Sequence, residues 1–229
     1  MEKIFEENGI ILSEKQKQDF EIYRELLLFY NQKFNITTIT EKKDVYIKHF
    51  LDSVLSVNYY VDNSSVIEIG SGGGFPSIPL KIANPSLKFK LVESTGKKCL
   101  FLKEVVKELK LENVEVLNGR AEDFGKDVAF REKFDYSTAR AVAKLNTLSE
   151  YCLPFVKVGG SFIALKANAE EEINESKNAI KILGGKIKEV KEYYLPLEEG
   201  KRTVINIEKI QKTPILYPRG NGKERKNPL

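Results

Sequence analysis

Two hydrophobic periods alternate between residues 66 and 165, and this alternation narrows the possible folds more than any other feature. Val66-Ile67-Glu68-Ile69, Phe89 to Val92, Val114 to Leu117, Phe134 to Thr138 and Ser161 to Leu165 are short apolar runs of the kind found in buried strands. Helical patterns lie between them. The clearest runs from Lys97 to Leu109, with Leu100, Phe101, Val105 and Leu109 expected to face inward. Such βα alternation predicts a parallel sheet covered on both faces. After Gly184-Gly185 closes a helix, Ile187 to Tyr194 and Thr203 to Ile207 read as an antiparallel hairpin around a polar loop, Glu198-Glu199-Gly200. The expected fold is α/β, a mostly parallel seven-stranded sheet ending in a C-terminal antiparallel hairpin.

Helices precede this region. Ser13 and Gln16 form a capping-box pattern, and Phe20, Tyr23, Leu27, Tyr30 and Phe34 then recur at steps of three and four. A second helical stretch from about Lys42 to Tyr60 carries Val45, Phe50, Val54 and Val57. The chain thus divides into an N-terminal helical extension at 1–60, an α/β core at 61–210 and a basic C-terminal tail at 211–229. With 229 residues, 41% of them hydrophobic, one such core with an accessory segment is the expected organisation. No apolar run is long enough to span a membrane, and MEKIFEENGI lacks the basic and apolar regions of an export signal, so a cytoplasmic location is expected. Cys99 and Cys152 are too few for a disulfide framework or a thiolate metal site, and no metal is expected.

The chemistry starts after the first strand, at Glu68-Ile69-Gly70-Ser71-Gly72-Gly73-Gly74-Phe75. Glycines there allow a sharp turn and close backbone approach to a ligand, and the following helix aims free N–H groups at it. Glu68, Gly70, Gly72 and Gly74 give E-x-G-x-G-x-G, while Phe75 stands where a dinucleotide-binding G-x-G-x-x-G requires its third glycine. The dinucleotide reading therefore loses ground, and a purely structural turn stays open. Glu93 ends the second strand, where a carboxylate can accept two hydrogen bonds from the vicinal hydroxyls of a ribose; capping the next helix is its alternative use. Ala121 and Glu122, after the third strand, lie where an adenine can be bracketed, or form a solvated acidic loop. A parallel α/β sheet finished by a hairpin is, as a fold-level analogy, the layout of class I Rossmann-like methyltransferases, whose cofactor is S-adenosylmethionine.

HFLDS (His49 to Ser53), EIGSGGGFPSIPL (Glu68 to Leu80), LVES with GKK (Leu91 to Lys98), GRAE (Gly119 to Glu122), STARAVAKL (Ser137 to Leu145) and the terminal YPR and KNPL (Tyr217 to Leu229) occur in order. In this order and spacing the chain resembles, essentially end to end, the RsmG/GidB family (glucose-inhibited division protein B). The resemblance implies an S-adenosylmethionine-dependent methyltransferase acting on N7 of one guanine in the decoding-region loop of 16S rRNA, guanine 527. It also implies cofactor contacts at Gly70, Phe75, Ala121, Glu122 and Arg140. The partner is then 16S rRNA or the small ribosomal subunit, with neither membrane nor metal, and the enzyme is expected to be a monomer. A methyltransferase for a small molecule and a non-catalytic RNA-binding assembly factor are the alternatives.

Guanine N7 carries an in-plane lone pair and no proton, so its attack on a methyl group needs no general base. No catalytic triad is expected. Arg140, just after the fourth strand, is a candidate for positioning substrate or cofactor, or for a structural salt bridge; Lys166, at the end of the fifth strand, is a candidate for a phosphate. His49, the only histidine, reads as scaffold paired with Asp52, and Asn35, Thr37 and Thr38 read mainly as caps. Net charge is only +4, so distribution matters. Residues 1–60 hold eight basic and ten acidic side chains, and residues 217–229 hold four basic and one acidic. Tyr217, Arg219, Lys223, Arg225 and Lys226 are therefore the RNA-binding candidates, in a tail whose prolines and glycines forbid a long helix and which is expected to order on RNA.

Overall fold

The computed structural model describes residues 2–197 and 200–229. Among the described residues seven strands form one sheet: β1 (Ser65–Ile69), β2 (Lys88–Glu93), β3 (Val114–Asn118), β4 (Phe134–Arg140), β5 (Val156–Lys166), β6 (Gly185–Tyr194) and β7 (Lys201–Lys209). Their order is β3-β2-β1-β4-β5-β7-β6. The first five pair in parallel, and β7 runs antiparallel to both β5 and β6. The chain reverses direction across the sheet between β1 and β4, and ligands of such sheets bind at the C-terminal strand ends beside that reversal. The Glu198-Glu199 part of the expected hairpin loop lies outside the described residues.

The helices are α1 (Glu2–Glu6), α2 (Glu14–Phe34), α3 (Lys42–Asp44), α4 (Asp52–Val54), α5 (Ser77–Ala83), α6 (Gly96–Glu108), α7 (Ala121–Phe124), α8 (Leu145–Cys152), α9 (Glu170–Ile182) and α10 (Lys223–Lys226). Ser13 caps α2 with the reciprocal Gln16 bond that the sequence predicts, and Asn35 ends it in the left-handed conformation at φ 51°. The second helical stretch departs from expectation. Instead of one α-helix to Tyr60, Val45–Leu51 is a π-helix joining α3 to α4, followed by a short 3₁₀ turn at Val57–Tyr59. The Asp52 amide donates to both His49 and Ile47 carbonyls, a widened turn that hydrophobic spacing does not announce.

Two apolar clusters sandwich the sheet. On one face Phe20, Tyr23 and Leu27 of α2 and Phe50 of the π-helix share a core with Phe75, Phe101 and Ile163. On the other, Ile67, Leu148, Phe155 and Ile205 pack together, with Tyr217 and Leu229 of the tail laid against them. The expectation of a tail ordered by RNA alone is thus corrected. Arg131 donates to the carbonyls of Thr213 (2.7 Å), Pro214 (3.1 Å) and Tyr217 (2.7 Å) and so ties the tail to the turn that precedes β4. Leu100 is a second correction: it is 61% exposed, and Leu102 takes the inward place on α6. Among the described residues no helix is long and apolar enough to cross a membrane.

Candidate active site

The loop after β1 is built to be held open. Gly70 and Ser71 amides donate to the Val92 carbonyl at 2.9 and 3.0 Å, and the Gly72 amide donates to Glu93 Oε2 at 2.9 Å. From the other side the Tyr23 hydroxyl donates to the Gly73 carbonyl. Gly74 sits at φ 86°, and a Cβ there would stand 2.6 Å from Ile78 Cγ1 and 2.9 Å from the Tyr23 oxygen, so only glycine fits. Above Gly72 an added Cβ would meet nothing closer than the Gly70 oxygen at 3.8 Å, which leaves room for a ligand to approach the backbone.

Between the ends of β1, β2 and β3 lies a cavity of ≈ 70 Å³, lined by Gly70, Ser94, Gly119, Ala121 and Glu122 and flanked by Val142, Tyr151 and Arg225. Val142 restricts it at Gly70, whose Cβ position would be 2.8 Å from the valine Cγ2. Beside it the buried Glu93 carboxylate accepts from Gly72 through one oxygen and from the Thr95 amide, at 2.7 Å, through the other. Each oxygen keeps a second lone pair for a ligand hydroxyl. This open glycine cradle, the carboxylate closing β2 and the cavity at Ala121 and Glu122 fit an adenosine-bearing cofactor.

Glu68 is placed differently from the other members of its motif. It is fully buried beneath the loop, its oxygens lack any partner in full hydrogen-bond geometry although the Ser71 and Ser77 hydroxyls lie nearby, and it lines neither this cavity nor the next. Burial pushes its carboxyl up to about 8, against the opposing pull of the Ser77 and Ser71 hydroxyls and the Arg140 charge. At neutral pH it is a neutral acid under the loop.

Beside Phe75 a second cavity of ≈ 420 Å³ is lined by Ile39, His49, Asp52, Arg140, Lys166 and Arg202, among others. Arg140 organises it. Its Nη1 donates to the Lys48 carbonyl (2.9 Å) and to Asp52 Oδ2 (3.0 Å), and its Nη2 meets His49 Nδ1 at 2.9 Å. An arginine can only donate, so Nδ1 accepts and the histidine proton sits on Nε2, which donates to Thr37 Oγ1 at 2.9 Å. Burial, then the Arg140 charge, pushes His49 down to about 3, so the ring is neutral. It stacks on Phe75 with centroids 4.3 Å apart, and the guanidinium lies 5.0 Å from the same ring. Asp52 Oδ1 accepts from the Tyr193 hydroxyl at 3.0 Å and faces Arg202 Nε at 3.5 Å. Burial and this carboxylate push the Tyr193 hydroxyl up.

The structure thus brings Gly70, Ala121 and Glu122 to one cavity, with Gly72 and Glu93 at its edge, and Arg140 and Lys166 to the other. Lys166 donates to the Ala143 carbonyl at 2.9 Å and pairs with Glu172 at 2.7 Å. The expected direct His49–Asp52 pair is corrected: Arg140 stands between them. In the tail, Tyr217 packs on the core, and Arg219 forms a two-pronged pair with the buried Glu150 at 3.0 and 2.7 Å. Arg225 reaches the lip of the first cavity, while Lys223 and Lys226 face solvent on α10. Tyr193 and Arg202, which complete the Arg140 cluster, carry no local motif and were legible only through the fold.

A parallel sheet with an antiparallel final hairpin, a glycine loop after β1 and a carboxylate closing β2 define a Rossmann-like methyltransferase of class I. Its architecture matches that of the M. jannaschii TYW2 structure in complex with AdoMet, with a TM-score of 0.57 at 19% identity over 76% of this chain and 80% of that one. Residues 16–202 match the family model GidB, rRNA small subunit methyltransferase G. The ribosomal RNA small subunit methyltransferase G of Brevibacillus brevis is 50% identical over 96% of this chain and 94% of its own. That of Bacillus mycoides is 49% identical over 100% and 97%. The chain belongs to the GidB family of rRNA small subunit methyltransferases.

Proposed function

We propose that this chain transfers the methyl group of S-adenosylmethionine to N7 of one guanine in 16S rRNA, acting as a monomer in the cytoplasm. The cofactor when bound supplies an electrophilic methyl group on a sulfonium. Gly70, Gly72 and Gly74 shape its cradle, Glu93 takes its ribose hydroxyls, and Ala121 and Glu122 border its adenine. Glu68 supports the cradle from beneath as a neutral acid, and Phe75 separates the cofactor side from the substrate side. We assign 61–210 to the cofactor, 1–60 to the substrate side and 211–229 to the wall beside Tyr151.

The observation that carries this reading is the state of Arg140. A free arginine reads guanine through O6 and N7 together, which would occupy the nucleophile. Here both Nη1 hydrogens and one Nη2 hydrogen are engaged by Lys48, Asp52 and His49, which leaves Nε–H and a single Nη2–H. That spends the end-on fork between the two Nη atoms, and the Nε–Nη2 edge that remains is assigned to a phosphate or to O6, so that N7 stays free to attack. His49, neutral with both nitrogens occupied, fixes Arg140 and takes no proton. Lys166 is the second candidate for a substrate phosphate.

The test pairs binding with mapping. Calorimetry should register S-adenosylhomocysteine, and incubation with labelled cofactor and small subunits from cells lacking the enzyme should place the label on one guanine N7. Arg140→Ala should reduce turnover by about a hundredfold or more, the scale of losing an oriented electrostatic contact. Intact turnover and intact cofactor affinity in that variant would exclude the assignment.

A further inference from the structure

Where the C-terminal half of α2 meets the first turns of α6, one exposed and two half-buried aromatic rings lie beside lysines. Phe29 is 52% exposed, and Lys33, one turn on, lies 3.9 Å from its ring centroid. Tyr30 and Phe34 continue the row with centroids 5.8 Å apart, and Lys97 of α6 stands 5.8 Å from the Phe34 ring. From Leu26 to Thr40 and from Ser94 to Lys103 the chain carries four lysines and no acidic residue. Among the described residues neither Lys33 nor Lys97 enters a salt bridge. Exposed apolar surface interleaved with cations that no carboxylate neutralises marks an interaction site.

This ridge is continuous with the site. Ile36, two residues past Phe34, lies 3.1 Å from where a Cβ on Gly73 would sit. Thr37 bonds His49, and Ile39 lines the Arg140 cavity. A strand laid along the ridge therefore leads over residues 35–39 to Arg140.

We propose that Phe29, Phe34, Lys33 and Lys97 form the docking ridge for a single-stranded segment of the substrate RNA, whose bases stack on the rings and whose phosphates meet the lysines. This rests on the reading that the chain methylates rRNA. Alternating rings and cations match alternating bases and phosphates, and aromatic stacking is how proteins hold unpaired RNA. An anionic membrane surface fits poorly, because residues 1–60 as a whole carry ten acidic against eight basic side chains.

Binding of protein-free 16S rRNA and of small subunits lacking the modification tests the ridge without cofactor. Phe29→Ala should weaken binding roughly tenfold, the loss of one stacked base. Lys33→Ala combined with Lys97→Ala should lower the slope of log affinity against log salt by about 0.7 for each lysine. Both variants should keep wild-type thermal unfolding and S-adenosylhomocysteine affinity, since the altered side chains are away from both cavities. With a photocrosslinking phenylalanine analogue at position 29, crosslinks should fall on rRNA. Unchanged affinity and slope for both RNAs, or crosslinks confined to a ribosomal protein, overturn the proposal. A wild-type chain that binds RNA through these residues yet takes up no S-adenosylhomocysteine would retire the methyl-transfer reading and still support the ridge.

Discussion

At the residue scale, Glu68 carries the most unusual chemistry. β1 alternates Val66 toward one apolar cluster and Ile67 toward the other, so Glu68 turns into the face that holds Tyr23 and Tyr60. Its folded-state value of about 8 lies above the 4.5 of an ordinary glutamate. The folded chain therefore holds one more proton than the unfolded chain in this interval. The associated stability is complete below about 4.5 and is lost as pH rises through about 8. Glu68→Gln keeps the shape and removes the titration. Thermal unfolding of this variant should fall less steeply between these limits than that of the wild type, and parallel curves would mean that Glu68 is already charged in the fold. Local pattern exposed this residue, Gly70, Gly72, Gly74 and Glu93, because a turn and two strand ends write their needs within a few positions. It did not expose the contacts of Arg140, which join His49 and Asp52 to a partner 91 and 88 residues away.

At the element scale, α2 is the splint of the glycine loop. Its Tyr23 is buried against Phe50 and Phe75, with centroids 5.1 and 5.6 Å away, and spends its hydroxyl on the Gly73 carbonyl. Hydrophobic spacing alone shows why Tyr23 faces inward. The hydroxyl's target belongs to another element and is not legible that way. Tyr23→Phe should retain the packing and lose the hydrogen bond, at a cost of about 1 kcal/mol in urea unfolding. Affinity for S-adenosylhomocysteine should fall several-fold as the loop loses its support. Unaltered affinity with lowered stability would confine Tyr23 to folding. The same logic explains Leu100. Its place in the periodic pattern of α6 is apolar, but α6 packs on α2 and the sheet through Phe101, Leu102 and Val105, which leaves Leu100 on the solvent side.

At the scale of the whole molecule, the tail joins parts of the chain that composition had set apart. Its charge pattern reads as a free basic arm, yet Arg219 is committed inward. The guanidinium meets Glu150, which is 1% exposed, and the Arg219 amide donates to the same carboxylate at 2.8 Å. The Thr147 hydroxyl donates to the Glu224 carbonyl at 2.9 Å, so α8 grips the tail both before α10 and within it. Arg219 is the only cation paired with Glu150 among the described residues, and a buried carboxylate that loses such a partner costs about 3 kcal/mol, because desolvation remains when the attraction is gone. Arg219→Ala should therefore lower the unfolding free energy by about that amount, expose the tail to limited proteolysis and leave the salt slope of RNA binding unchanged. Lys226→Ala, on the solvent side of α10, should leave stability unchanged. If instead Arg219→Ala unfolds like the wild type while flattening the salt slope, Arg219 belongs to the RNA interface and the tail is held by Arg131 and the apolar contacts of Tyr217 and Leu229 alone.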